Sequence, residues 1–93
     1  MRTWEDYKRH VKSIDETSRK EMEEIETLAF LVGTMIDQRN KLGLSQKELA
    51  ELCHIPQSTI GRIESCRTIP SILTLIRILE PLQMKITFTE KTE

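Results

Sequence analysis

Apolar residues recur along this chain at two different periods. From Met22 onward, Met22, Ile25, Leu28, Ala29, Val32, Met35, Ile36 and Arg39 share one broad face, the three-and-four spacing of an amphipathic helix. Ser18 with Glu21 three residues later makes a capping box that predicts its start, and Gly43 predicts its stop. Gly33 inside it suggests a place of close packing. A shorter stripe, Trp4, Tyr7, Val11 and Ile14, precedes it and is separated from it by the polar run Asp15-Glu16-Thr17-Ser18. Ser45 and Glu48 form a second capping box, predicting a helix through about Cys53. Pro56 suits the first turn of a further helix reaching about Ser65. Pro70-Ser71 then opens a last helix, with Ile72, Leu75, Ile76, Leu79 and Leu82 expected inward and Pro81 thinning its final turn.

After Pro81 the period changes from near four to two. Met84, Ile86 and Phe88 alternate with Lys85, Thr87 and Thr89, as in a β-strand. A single strand in a helical chain has no ladder partner of its own. The same strand of a second copy would supply one, so the expectation is a two-fold homodimer built partly on Met84, Ile86 and Phe88. The fold class that follows is all-α, in three stretches: an amphipathic extension over 1–17, a helical domain over 18–83, and a dimerisation strand and tail over 84–93.

Residues 45–71, SQKELAELCHIPQSTIGRIESCRTIPS, hold the candidate chemistry. A short helix, a tight turn and a second helix at a steep angle let the second enter a DNA major groove while the first crosses the backbone. Polar side chains near the start of that second helix then face base edges. Here they are Gln57, Ser58 and Thr59, with Arg62 one turn further along the same face. Gln pairs bidentately with adenine and Arg with guanine. Ile60 and Ile63 are expected inward, against Leu49, Ala50 and Leu52. Gln46 and Lys47 at the first helix start, and Arg67 after the second, are placed to hold phosphates.

Composition narrows the class. In 93 residues, 31% charged and 4% aromatic, there is room for one modest core. No apolar run approaches the roughly 18 residues of a membrane span, and the N-terminus has no apolar stretch of a secretory leader. The net charge is −1. Residues 41–93 carry seven basic and six acidic side chains, so any DNA affinity must lean on a few well-aimed groups and on dimerisation. Cys53 reads as a small buried residue and Cys66 as a loop residue, both reduced in a cytoplasm. There is no glycine-rich phosphate loop, nucleophile motif or carboxylate pair, which argues against an enzyme. His10 and His54 lack metal-ligand spacing, and the adjacent Cys53-His54 is a poor chelate, so neither metal nor cofactor is expected.

The run RNKLGLSQKELAELCHIPQSTIGRIE resembles the Xre/Cro-type helix-turn-helix family, which includes lambda-repressor-like proteins, over residues 39–79. The resemblance implies a lambda-repressor-like bundle. It also implies DNA contacts at Gln46, Gln57, Ser58 and Arg62, and a mostly buried ion pair between Arg39 and Glu64. Where the family usually has Asn-Gly, this chain has Ser65-Cys66, and the loop there is expected to differ, because Gly takes a left-handed backbone at little cost and Cys does not.

The extension and the ending Leu79-Glu80-Pro81-Leu82 with Ile86-Thr87-Phe88 make the whole chain similar to HigA-type antitoxins of bacterial toxin–antitoxin operons. That likeness implies a cytoplasmic, nucleoid-associated homodimer on a pseudo-palindromic operator. It implies a RelE-like mRNA-cleaving toxin as partner, contacted by Trp4, Tyr7, Val11 and Ile14. The acidic run Glu21, Glu23, Glu24, Glu26 is either a solvated helix face or a match for a basic toxin. The Trp4 stripe equally fits a helix folded back as core. A free-standing repressor without a toxin, and an interaction module that no longer binds DNA, stay open beside the antitoxin reading.

Overall fold

The computed structural model describes residues 19–91, and all regular structure among them is helical. The helices are α1 (Arg19–Lys41), α2 (Gln46–Cys53), α3 (Gln57–Glu64) and α4 (Ile72–Leu79). Trp4, Tyr7, Val11, Ile14 and the Ser18 cap lie outside the described residues. At 1.5 Å per residue α1 runs about 34 Å, while α2, α3 and α4 have eight residues each. Helices of eight residues are too short to hold by themselves. Their stability comes from caps and from a shared core.

The core is built from Met35 of α1, Leu49, Ala50 and Cys53 of α2, Ile60 and Ile63 of α3, Ile78 and Leu79 of α4, and Leu82 beyond it. Leu42, Leu44, Ile55, Leu75 and Met84 pack around its edge. Full burial of one such aliphatic side chain contributes roughly 1.5–3 kcal/mol. Gln38 of α1 also donates from Nε2 to the Leu82 carbonyl at 3.0 Å, tying the end of the domain back to its longest helix.

All four helices stop in the same way. After α1, Gly43 N donates to Asn40 O and Leu44 N to Arg39 O; the pairs His54/Ile55, Cys66/Arg67 and Gln83/Met84 repeat this after α2, α3 and α4. These are Schellman ends, which satisfy the last carbonyls by turning one residue into the left-handed region. Only the first uses glycine, at φ 73°, whereas His54, Cys66 and Gln83 stand at 56°, 59° and 61°. Leu44, Ile55 and Met84, each just past such a turn, drop back against the core.

Several expectations are corrected. α4 and the turn after it bury Ile78, Leu79 and Leu82 with Leu75 beside them, leaving Ile72 and Ile76 outside. Six of its eight residues are apolar, so more than one helical stripe was open to it. The register chosen is 75, 78, 79, 82. Leu52 is exposed, and Cys53 takes the inward place beside Ile60 and Ile63. A Cβ on Gly33 would meet nothing within 4 Å among the described residues, so none of them packs closely there. No strand forms over Met84–Thr89. Met84 is instead drawn into its own chain's core by the turn that ends α4, and Ile86 and Phe88 are exposed. An isolated strand has no ladder to make within one chain.

Candidate nucleic-acid interface

α2 and α3 form the helix-turn-helix unit, and each end of it has a visible cause. Ser45 accepts from Glu48 N at 3.0 Å while Glu48 Oε1 accepts from Ser45 N at 2.9 Å, closing the capping box that starts α2. The bonds from Ser45 hold the Glu48 carboxyl below its usual range, the backbone N–H contributing more than the hydroxyl. His54 then turns left-handed and Ile55 returns to the core. Pro56 follows as the residue before α3, one place earlier than the first helical turn expected for it. Its carbonyl accepts from Thr59 N at 3.0 Å and Ile60 N at 3.2 Å. No side chain caps α3, so its start is open to an outside acceptor.

On α3 the inward and outward residues separate cleanly. Ile60 and Ile63 are buried, while Gln57, Ser58 and Arg62 are exposed and Thr59 is half-buried. Lys47 and Arg67 are exposed on either side, and Gln46 is half-buried. A shallow groove of about 580 Å³ runs over the turn, lined by Lys47, Glu51, His54, Pro56 and Gln57 among others.

Beneath this surface lies a polar knot. Arg39 donates from Nε to Glu64 Oε2 at 2.7 Å and from Nη2 to Glu64 Oε1 at 2.9 Å, a two-pronged ion pair. The two side chains are only 12% and 4% exposed, so this is a buried pair and not a surface one. Arg39 Nη1 reaches the Leu44 carbonyl at 2.9 Å, and Gln46 Nε2 donates to Glu64 Oε1, also at 2.9 Å. α1, the following loop, the first residue of α2 and the last residue of α3 are therefore joined in one network, with Arg39 and Gln46 on the Glu64 carboxylate and the Leu44 carbonyl on Arg39. The family resemblance signalled Arg39 and Glu64 but not the other two partners. A backbone carbonyl leaves no mark on residue type, and Gln46 and Glu64 lie on different helices either side of a turn, so no period within one helix relates them.

The loop after α3 keeps a glycine-like backbone despite Cys66, contrary to the expected departure. Arg67 N donates to Arg62 O at 2.9 Å and Cys66 N to Ile63 O at 3.0 Å, and these bonds hold the left-handed turn. Both cysteines are free, and burial pushes both thiols above their ordinary range. Among the described residues no cluster of His, Cys, Asp or Glu is arranged to hold a metal, and no helix is long and apolar enough to cross a membrane.

Comparison with known proteins agrees with this geometry. Residues 35–88 match the helix-turn-helix family, more than half of the chain. The chain is 37% identical over 65 residues to an uncharacterized HTH-type transcriptional regulator of Haemophilus influenzae, covering 70% of this chain and 66% of that protein. No solved structure matches. The chain belongs to the Xre/Cro-type helix-turn-helix family, a class of DNA-binding regulators and not of enzymes.

Proposed function

We propose that this chain is a transcriptional repressor that binds a pseudo-palindromic operator as a homodimer, with α3 in the major groove. Gln57, Ser58, Thr59 and Arg62 face base edges, and Lys47 and Arg67 hold phosphates on either side. The observation that carries this reading is the division of α3: Ile60, Ile63 and Glu64 are locked inward, while Gln57 and Ser58 stand exposed at its uncapped start and Arg62 stands exposed in its last turn. Two copies with recognition helices about 34–36 Å apart would enter successive grooves on one DNA face. Ile86 and Phe88 are the dimer contacts. Residues 85–91 are exposed, and their backbone makes no hydrogen bond among the described residues, leaving it open to a second copy. Loss of the dimer on Ile76→Asp but not on Phe88→Ser would move the contact to α4.

The narrower reading is an antitoxin working in the cytoplasm on its own operon. It rests on the likeness to HigA-type proteins and on α1, where Phe30 and Leu31 are exposed and Glu21, Glu23 and Glu24 lie in solvent. An apolar and acidic face suits a basic, RNA-cleaving partner. Trp4, Tyr7, Val11 and Ile14 are the further contacts proposed for that toxin.

Two assays separate these readings. Selection from random duplexes should enrich one palindromic sequence, and failure to enrich any would remove DNA reading. Co-expression with the product of a neighbouring small gene should rescue growth and co-purify. Operator binding without such a partner leaves the free-standing repressor.

A further inference from the structure

We propose that Gln46 is a positioning residue for the recognition helix, so that operator discrimination depends on its bond to Glu64 while the general grip on DNA does not. The proposal rests on the DNA-reading function above. It differs from the phosphate-contact role that the sequence suggested for Gln46.

Its basis is the way α3 is held at its two ends. The N-terminal end follows Pro56, whose fixed φ and core-anchored neighbour Ile55 leave little freedom. The C-terminal end is Glu64, and that carboxylate is tied by Arg39 from α1 and by Gln46 from α2. Gln46 makes the only one of those side-chain bonds that joins α2 to α3 directly. Its amide also lies along α3: a Cβ on Gly61 would stand 3.7 Å from Gln46 Oε1, ordinary contact distance. The side chain thus spans Gly61 to Glu64, one turn of the recognition helix.

Over eight residues α3 is about 12 Å long, so a shift of about 1 Å at the Glu64 end rotates the rod by roughly 5°, while base-reading groups need placement within about 0.5 Å. Arg62 sits two residues from the tied end and Gln57 at the opposite one. A loosened Glu64 therefore misplaces Arg62 more than Gln57. Phosphate contacts tolerate such a shift better, because Lys47 and Arg67 are exposed on long side chains that follow a displaced phosphate by changing rotamer.

The test uses the full chain and the duplex selected by the wild-type protein, with a scrambled duplex as reference. Gln46→Met keeps the volume and removes the donor, and Gln46→Lys keeps a donor to Glu64. Both are assayed well below their melting temperatures. For Gln46→Met we expect operator affinity to fall about tenfold, with scrambled-duplex affinity within about twofold of wild type. The base pairs losing preference should be those lost in Arg62→Ala. Gln46→Lys should keep the operator-to-scrambled ratio within about threefold of wild type. Equal losses on both duplexes would make Gln46 a phosphate clamp, and unchanged affinity for both would make it a purely stabilising group; either result overturns the proposal. If Gln46→Met does not fold, a collapsed ratio in folded Gln46→Lys overturns it and a kept ratio supports it. A wild-type protein that selects no sequence defeats the DNA-reading function itself, which is a separate outcome.

Discussion

The knot at Glu64 and the outer face of α4 are opposite solutions to being near a surface. At the knot, charged and amide groups are buried and each has found a partner; among the described residues no buried side-chain nitrogen or oxygen is left without one. On α4, apolar groups are left in solvent: Ile72 is 67% exposed, Leu73 57% and Ile76 49%, with Ile69 before them at 74%. The first region is finished within the chain. The second contributes area that packing among the described residues does not use. Removing one member of the knot should therefore be costly, because it strands the others, whereas trimming the α4 face should cost the folded chain almost nothing.

The largest expected effect tests that contrast directly. Arg39→Ala leaves the Glu64 carboxylate buried without its cation, and should lower unfolding free energy by about 3–5 kcal/mol in urea titrations. A change under about 1 kcal/mol would mean that the pair is solvated and the knot is not a structural unit. Next comes a pair of substitutions on one helix. Ile78→Ala should cost about 2–5 kcal/mol, and Ile76→Ala, two residues away on the opposite side of the helix, under about 0.5 kcal/mol. Similar losses at both would show that the outer face is covered in the folded protein. The smallest effect concerns the start of α2. Glu48 is held below its ordinary value of 4.5, so its capping contribution is present above that pH and is lost as pH falls through the lowered value. The melting-temperature gap between wild type and Glu48→Ala should be full above pH 4.5 and narrow below it. A gap that stays constant down to strongly acidic pH would remove the carboxylate from the cap.

What could be read in the sequence was what is decided locally. The Ser45–Glu48 box, the stop at Gly43, the start after Pro70-Ser71 and the inward Ile60 and Ile63 each depend on residues a few positions apart, and all of them form. Arg39 and Glu64 came from resemblance to the family, since nothing in a 25-residue separation announces a contact. The failures share a cause as well. Where apolar residues outnumber the positions facing the core, as in α4, periodicity names several stripes and packing picks one. Leu52 stands off the stripe that Leu49, Ala50 and Cys53 share at i, i+1 and i+4, and the Cys53 thiol donates to the Leu49 carbonyl at 3.0 Å. The expected strand failed because alternation describes what a segment is able to do, and a ladder needs a neighbour. The candidate DNA face was legible as a set of residue types. The bond that draws Gln46 inward was not, because it depends on where α3 ends in space.

The left-handed helix ends have a consequence for how this protein can change. Three of the four turns place His54, Cys66 and Gln83 in a conformation that costs a side-chain-bearing residue roughly 1–2 kcal/mol, and that glycine takes freely at an unfolded-state cost of about 0.5–1 kcal/mol. None of the three is among the base- or phosphate-contacting groups assigned to the DNA face. Replacement by glycine at each is thus a small, independent adjustment of the folded population. Heat tolerance and cellular lifetime can drift up or down through these joints over generations, while the text that the protein reads on DNA stays the same.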